Sequence, residues 1–144
     1  MQDKTVLIGR VVVEASDGQR VEGTNMLVNG GRDLFADIIG GDSSTVPTHI
    51  AMGTGTTAIT VTDTTLENEQ DRNAISLSTA SSGVVSYKCF FSKSEMNGVT
   101  LANAGIFTAA AAGTMTNAVV LDSTIAKTSS ISITLTWTIT LANA

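Results

Sequence analysis

From Ser129 to Leu141 the chain alternates strictly between two kinds of side chain. Ile131, Ile133, Leu135, Trp137, Ile139 and Leu141 fall on one parity, and Ser132, Thr134, Thr136, Thr138 and Thr140 on the other. These eleven alternating positions mark a strand with one buried face, about 36 Å long at ~3.3 Å per residue. A helix would scatter the same apolar residues around its axis. Thr5 to Ala15 is rich in β-branched residues and is followed by Asp17-Gly18, a turn signal from which Val21 to Val28 is expected to return as a hairpin partner. Thr48 to Met52 reads as a short strand between Pro47 and Gly53, and Asn73 to Thr79 alternates through Ile75 and Leu77. Val84 to Phe91 places Val85, Tyr87, Cys89 and Phe91 on one face and Val84, Ser86, Lys88 and Phe90 on the other. Gly105 to Phe107 and Thr114 to Leu121 complete a set of about eight strands.

One segment follows a helical period. Leu34, Phe35, Ile38 and Ile39 share a helix face, with Asn29 as the expected N-cap and Gly40-Gly41 as the stop. A helix of two or three turns is marginal alone, so it must dock against sheets. The predicted architecture is mainly β: a single domain over residues 1–144, an antiparallel, jelly-roll-like β-sandwich plugged by one short helix.

Composition narrows what such a domain does. Thr occurs 22 times and Ser 14 times in 144 residues, while charged residues make up 15% and apolar residues 42%, enough for one core. A net charge of -5 argues against nucleic acid or anionic membrane as the main partner, because both attract basic faces. No apolar run approaches the roughly 18 residues of a spanning helix. The start, Met1-Gln2-Asp3-Lys4, leads into no secretory h-region, so no signal peptide is expected. The single cysteine, Cys89, rules out an intrachain disulfide and a cysteine-based zinc site.

The candidate reactive groups are few. His49 is the only histidine and lies in a predicted strand, where a surface or edge position without chemistry is expected. Cys89 alternates with Tyr87 and Phe91, the place of a small buried hydrophobe. Gly53-Thr54-Gly55-Thr56-Thr57 resembles the start of a phosphate-cradling loop but lacks the Lys-Ser/Thr end and a following helix, so it reads as a tight strand exit. Asp63, Glu67, Glu69 and Asp71 depart from the calcium-loop spacing and read as a solvated acidic loop, with Arg72 placed to pair with one of them. No catalytic, cofactor-binding or metal-binding residue is assigned, and no enzymatic activity is expected. Among the aromatics Trp137 belongs to a core face. Phe90 lies on a polar face and is the one candidate for a carbohydrate- or cell-surface-binding module.

The last strand carries a further signal. Thr134, Thr136, Thr138 and Thr140 form a flat, uncharged surface, and no charged residue follows Lys127. Edge strands usually carry Lys, Pro or a bulge against pairing with other chains. Either this strand is central or another subunit covers it.

Specific residues then resemble a family. Pro47-Thr48-His49-Ile50-Ala51-Met52-Gly53-Thr54-Gly55 followed by Asp63-Thr64-Thr65-Leu66-Glu67-Asn68-Glu69 is similar to a pattern in small virion proteins of tailed bacteriophages, including attachment domains of tail-collar fibres and stand-alone head or tail accessory proteins. Asn29-Gly30-Gly31-Arg32-Asp33-Leu34-Phe35 resembles the helix that precedes this pattern. Ala102-Asn103-Ala104-Gly105-Ile106-Phe107 and Thr136-Trp137-Thr138-Ile139 resemble strands that follow it. The order is kept over about residues 24 to 141. Asn103 stands where the tail-fibre versions more often have Glu, so no role of that carboxylate carries over, and the chain is expected to be an adaptor, collar piece or surface decoration rather than a complete fibre with shaft and tip. The resemblance implies a non-enzymatic virion subunit, of tail-fibre or collar attachment type or alternatively a capsid decoration (cement) protein on the head shell. Such a subunit is expected to self-associate as a homotrimer through β-strand interfaces at the first strand (Thr5 to Val13, within an N-terminal arm of residues 1–15) or the last. Its other partners are expected to be virion proteins, with no cofactor, nucleic acid or membrane, and its location the virion after synthesis in the host cytoplasm.

Overall fold

The alternating runs of the sequence become the strands of a two-sheet sandwich. A computed structural model describes residues 5–143. Its elements in chain order are β1 (Thr5–Ala15), β2 (Arg20–Thr24), β3 (Met26–Leu27), α1 (Asn29–Gly40), β4 (His49–Gly53), β5 (Glu69–Ala74), β6 (Leu77–Ser81), β7 (Val84–Phe91), β8 (Thr100–Phe107), β9 (Met115–Ala126) and β10 (Ile133–Asn143). The first sheet has the order β2-β1-β10-β7-β6 and the second β3-β9-β8-β4-β5, with antiparallel neighbours throughout. The expected β-sandwich is therefore present, with ten strands rather than about eight among the described residues.

The core lies between the sheets. Val11, Val13, Cys89, Phe91, Leu135 and Trp137 of the first sheet meet Ile50, Met52, Leu101, Ile106 and Ile125 of the second, all with 0% exposure. Complete burial of such a side chain contributes about 1.5–3 kcal/mol, so this layer holds the fold together. Trp137 brings a polar N–H into it, which donates to Asn25 Oδ1 at 3.1 Å, and the Asn117 amide donates to the same oxygen at 2.8 Å.

Asn25 also explains the first correction. Val21 to Val28 is not one returning strand: the chain leaves the first sheet after Thr24 and joins the second at Met26, with Asn25 as the crossover bonded to both. Asn73 to Thr79 divides in the same way. The Ile75 N–H donates to Thr48 O of the second sheet at 2.9 Å, and the next N–H, of Ser76, donates to Lys88 O of the first at 2.8 Å. Strand alternation therefore does not run through Ile75 to Leu77: Ile75 packs on the core and Leu77 is half exposed. The last strand begins at Ile133 because Ser129 and Ser130 form a turn, and β8 and β9 are longer than their apolar runs suggested.

Both strands expected to serve assembly are built into the chain's own sheet. β10 is central, paired with β1 along its whole length and with β7 from Ile133 to Thr140. It has no free edge to offer a neighbour. β1 pairs with β10 from Thr5 to Ala15 and with β2 from Arg10 to Glu14. Residues 1–4 of the expected arm lie outside the described residues.

Helix α1 also differs at its start. The N-cap is Val28, without a side-chain cap bond, and Asn29 belongs to the first turn, its N–H donating to Val61 O at 2.8 Å. Gly31 explains why this stretch is glycine-rich: it is pressed against the Thr116 backbone, where any Cβ would collide. The helix stops at Gly41 in the left-handed region, φ 80°, as Gly40-Gly41 led one to expect. Only Gly31 of α1 is buried. The apolar side of the helix stands over the inner face of the first sheet and leaves a groove of about 410 Å3, lined by Leu7, Phe35, Ile38, Tyr87, Ile139 and Leu141.

Candidate functional site

Some of the residues that carry the family resemblance, in Gly53–Gly55, Asp63–Glu69 and Asn103, lie in one loop cluster beside β4, β5 and β8, while those in α1 and β10 lie outside it. Here the Gly53–Ala58 loop leaves β4 and is held by Glu67. The N–H groups of Thr56 and Thr57 donate to Glu67 Oε1 at 3.0 and 3.2 Å. The Thr57 hydroxyl, then the Thr57 and Thr56 N–H groups, hold the Glu67 carboxyl below its ordinary value, against partial desolvation and the nearby Asp63. The loop thus has the donors of an anion cradle, and the chain's own carboxylate occupies them.

Asn103 ties this loop to the sheet. It has 0% exposure on β8, and its amide donates to Glu67 O at 2.9 Å. Gly55 passes so close that a Cβ there would lie 2.6 Å from both Asn103 Nδ2 and Glu67 Oε1. Gly-x-Gly is therefore required by close approach rather than by a positive φ, which neither Gly53 nor Gly55 has. Leu66, between the acidic positions, is buried with Val28, Ala51, Phe107, Met115 and Ala118 in a second apolar cluster.

The acidic residues are dispersed over separate tasks. Asp63 accepts from the N–H and hydroxyl of Thr60, each at 2.9 Å, closing a turn. Glu69 takes Arg72 in a two-pronged bond, Nε to Oε2 at 3.0 Å and Nη2 to Oε1 at 2.8 Å. Arg72 does more than pair with a carboxylate, as expected. Its Nη1 also donates to Ala109 O and Ala112 O at 3.1 and 2.8 Å, and its guanidinium lies 3.6 Å over the Phe107 ring. The small-residue turn between β8 and β9 is held by this side chain together with Thr108, whose N–H donates to Thr114 O at 3.1 Å and whose hydroxyl accepts from Thr114 N at 2.9 Å.

Asp71 belongs to another pair. Burial and then a hydrogen bond with Glu95 raise its carboxyl above the ordinary value. Burial pushes Glu95 upward as well, but the Ser92 N–H, the Asn73 amide and Asp71 outweigh it and leave Glu95 lowered. The bonds to Glu95 are 2.8 Å from Asn73 Nδ2 and 2.9 Å from Ser92 N, joining β5 to the loop after β7. Among the described residues, no three His, Cys, Asp or Glu side chains gather as a metal cage.

The remaining candidates are placed as follows. His49 is half-buried at the start of β4, with Nδ1 2.8 Å from Thr48 Oγ1. Cys89 is fully buried and free, and burial pushes its thiol up to about 12, so thiolate chemistry is closed to it. Trp137 is in the core, while Phe90 is 51% exposed on the outer face of the first sheet, opposite Thr134. Three structural residues carried no recognised signal: Asn25, Glu95 and Lys127. Lys127 is 1% exposed, and its ammonium donates to Asn97 Oδ1 at 2.8 Å, Thr128 O at 3.1 Å and Lys93 O at 3.5 Å. A lone charge ahead of a long uncharged stretch was the hint for it.

Among the described residues, no helix is long and apolar enough to cross a membrane. Comparison with protein-family models, with curated proteins and with solved structures finds no match.

Proposed function

We propose that this chain is a non-enzymatic structural subunit of a tailed-bacteriophage virion, an exterior accessory protein of tail-fibre or collar attachment type that associates with copies of itself and with another virion protein. The observation that carries the reading is the fate of the resembling residues. Gly55, Glu67 and Asn103 meet in one knot in which the Glu67 carboxylate and the Asn103 amide N–H serve the loop itself, while the buried Asn103 Oδ1 has no partner. That is the behaviour of a scaffold motif, in keeping with a family of assembly parts. The groups a reaction would need are committed to structure: the thiol is buried and the carboxylates hold loops. The outer face of the first sheet offers instead a central uncharged column, Thr134, Thr136, Thr138 and Thr140, flanked by Arg10, Glu14 and Lys88, suited to lying against another protein surface.

The test is antibody–gold labelling of intact particles of the phage that encodes the chain, together with mass spectrometry of purified particles. Label on the tail or collar is the expected result. Label confined to heads replaces this role with capsid decoration, and particles that lack the chain overturn the virion reading altogether.

A further inference from the structure

Among the described residues the two sheets end in four edge strands, β2, β6, β3 and β5, and three of these are guarded; the Thr5–Gly9 part of β1, which runs beyond β2, is a further uncharged stretch of edge. β2 carries Arg20 and Glu22, with Arg10 and Arg20 both on the Glu22 carboxylate. β5 carries Glu69, Asp71 and Arg72, and its pairing with β4 is bulged between Met52 and Gly53. β3 is only 2 residues long. Charges, bulges and shortness are the devices that keep strand edges from pairing with other chains. β6 has none of them: Leu77-Ser78-Thr79-Ala80-Ser81 is uncharged and exposed throughout, and no charged residue occurs from Asn73 to Tyr87.

The hairpin decides which backbone groups are free. Ser82 and Gly83 have φ of 51° and 81°, the two-residue turn that closes Ser81 against Val84 as a hydrogen-bonded pair. Bonded and non-bonded pairs alternate along an antiparallel ladder. Leu77, Thr79 and Ser81 therefore turn their N–H and C=O groups toward β7, and Ser78 and Ala80 turn theirs outward. About a twofold axis at Thr79 this outward array is its own complement.

We propose that β6 pairs antiparallel with β6 of a second copy, Thr79 facing Thr79, and Ser78 of each copy exchanging both backbone hydrogen bonds with Ala80 of the other. The two first sheets then become one continuous sheet. A second copy fits this edge for another reason. Ser78 and Ala80 are the cross-strand neighbours of Tyr87 and Val85, which line the groove under α1, so this inner face runs out to the β6 edge. An identical strand continues that surface, and the half-exposed Leu77 gains a neighbour in the second copy's Ser81. The contact is isologous and makes a dimer, whereas a trimer needs a different, head-to-tail surface. The inference rests on the self-association in the proposed function but not on the virion assignment.

Light scattering after size exclusion is expected to give about 30 kDa, twice 14.8 kDa, and Thr79→Lys to give the monomer by placing two ammonium groups at the axis. Oxidation of Thr79→Cys is expected to trap a covalent dimer, because non-bonded partners sit ~4.5 Å apart between Cα atoms, within disulfide reach. Cys89 is buried and does not compete. Leu77→Cys is the control, since the two copies of that position lie about 13 Å apart along the strands in this register. A monomeric wild type, or cross-linking at Leu77 as efficient as at Thr79, overturns the pairing. So does a trimer near 44 kDa, three times 14.8 kDa, although it leaves self-association standing. Particle labelling fails or succeeds independently of all three.

Discussion

Around Glu67, Arg72 and Asn103 most polar groups are matched by other parts of the chain, the buried Asn103 Oδ1 being the exception, whereas around α1 and β6 the chain leaves much apolar surface and a strand edge unmatched. Arg72 alone engages a carboxylate, two carbonyls and an aromatic ring. Ile39 of α1 is 87% exposed beside an apolar groove, and Leu77 of β6 is 52% exposed on an unguarded edge. The conspicuous sequence features, paired glycines, carboxylates and a threonine-rich loop, thus build an inward-facing knot. The inconspicuous ones, a plain helix and a small-residue strand, make the surface that stands open. Conspicuous local chemistry in this chain marks what holds the fold, and assembly is to be sought where local chemistry is absent.

The largest effect should come from breaking the matched region. Arg72→Ala removes a two-pronged ion pair, two charge-assisted bonds and a cation–π contact from a side chain that is 10% exposed. A loss of about 3 kcal/mol in unfolding free energy is expected from urea denaturation. Arg72→Lys should recover less than half, since an ammonium cannot make the fork. A loss for Arg72→Ala below about 1 kcal/mol would be the behaviour of an exposed ion pair and would erase the contrast between the two regions. Asn103→Ala should follow with about 2 kcal/mol, because it strips Glu67 O of its donor and opens a void at a site without exposure. If Asn103→Ala melts with the wild type, the knot is held by the Glu67 carboxylate alone.

Legibility in the sequence follows the same division. β1 and β7 are read with their observed ends, and the buried parity of β10 is right from Ile133 to Ile139 but not at Leu141, which is half exposed, because period-two burial is a local property of a strand only where a core lies against it. Strand count fails at Asn25 and at Ile75-Ser76, where one residue and two residues respectively carry the chain from sheet to sheet. That choice is made by Trp137 and Thr48, distant in sequence. The N-cap fails because Asn29 is used for a bond to Val61 O, again a tertiary demand. In the knot, the Glu69–Arg72 pair was visible as a spacing, but the Asp71–Glu95 pair was not, since no pattern links those positions. The uncharged stretch after Lys127 drew notice to the last strand, yet a central strand needs no guarding charge. The shorter uncharged stretch that includes β6 lies at a real edge.

A smaller, pH-dependent effect sharpens the account of the matched region. Asp71, raised in the fold, contributes stability that is fully present below its unfolded value of 3.8 and is lost as pH rises through the folded value. Glu95, lowered, contributes stability present above its unfolded value of 4.5 and lost as pH falls through the folded value. The pair is therefore served best with Asp71 protonated and Glu95 ionised, and two like charges oppose each other once Asp71 ionises. Asp71→Asn supplies a permanent donor to Glu95. It is expected to stabilise at pH 7 by less than about 1 kcal/mol, with the gain vanishing toward pH 4. Urea titrations from pH 4 to pH 8 read this directly, and parallel wild-type and variant curves would mean that the carboxyls do not share a proton.

The smallest effect belongs to the open region. Ile39→Ser removes a large apolar group from a helix position that is 87% exposed, so the isolated chain at low concentration should change by no more than about 0.5 kcal/mol. The same substitution at Leu135, with no exposure, would be among the most costly in the molecule. The contrast holds only while the groove stays open. If Ile39→Ser costs more than about 1.5 kcal/mol in dilute solution, α1 closes onto Tyr87 and Leu141 and the groove is part of the core. If the cost is absent when dilute and emerges only as concentration rises, the side chain is buried by a second molecule, and the unmatched region is unmatched only in the monomer.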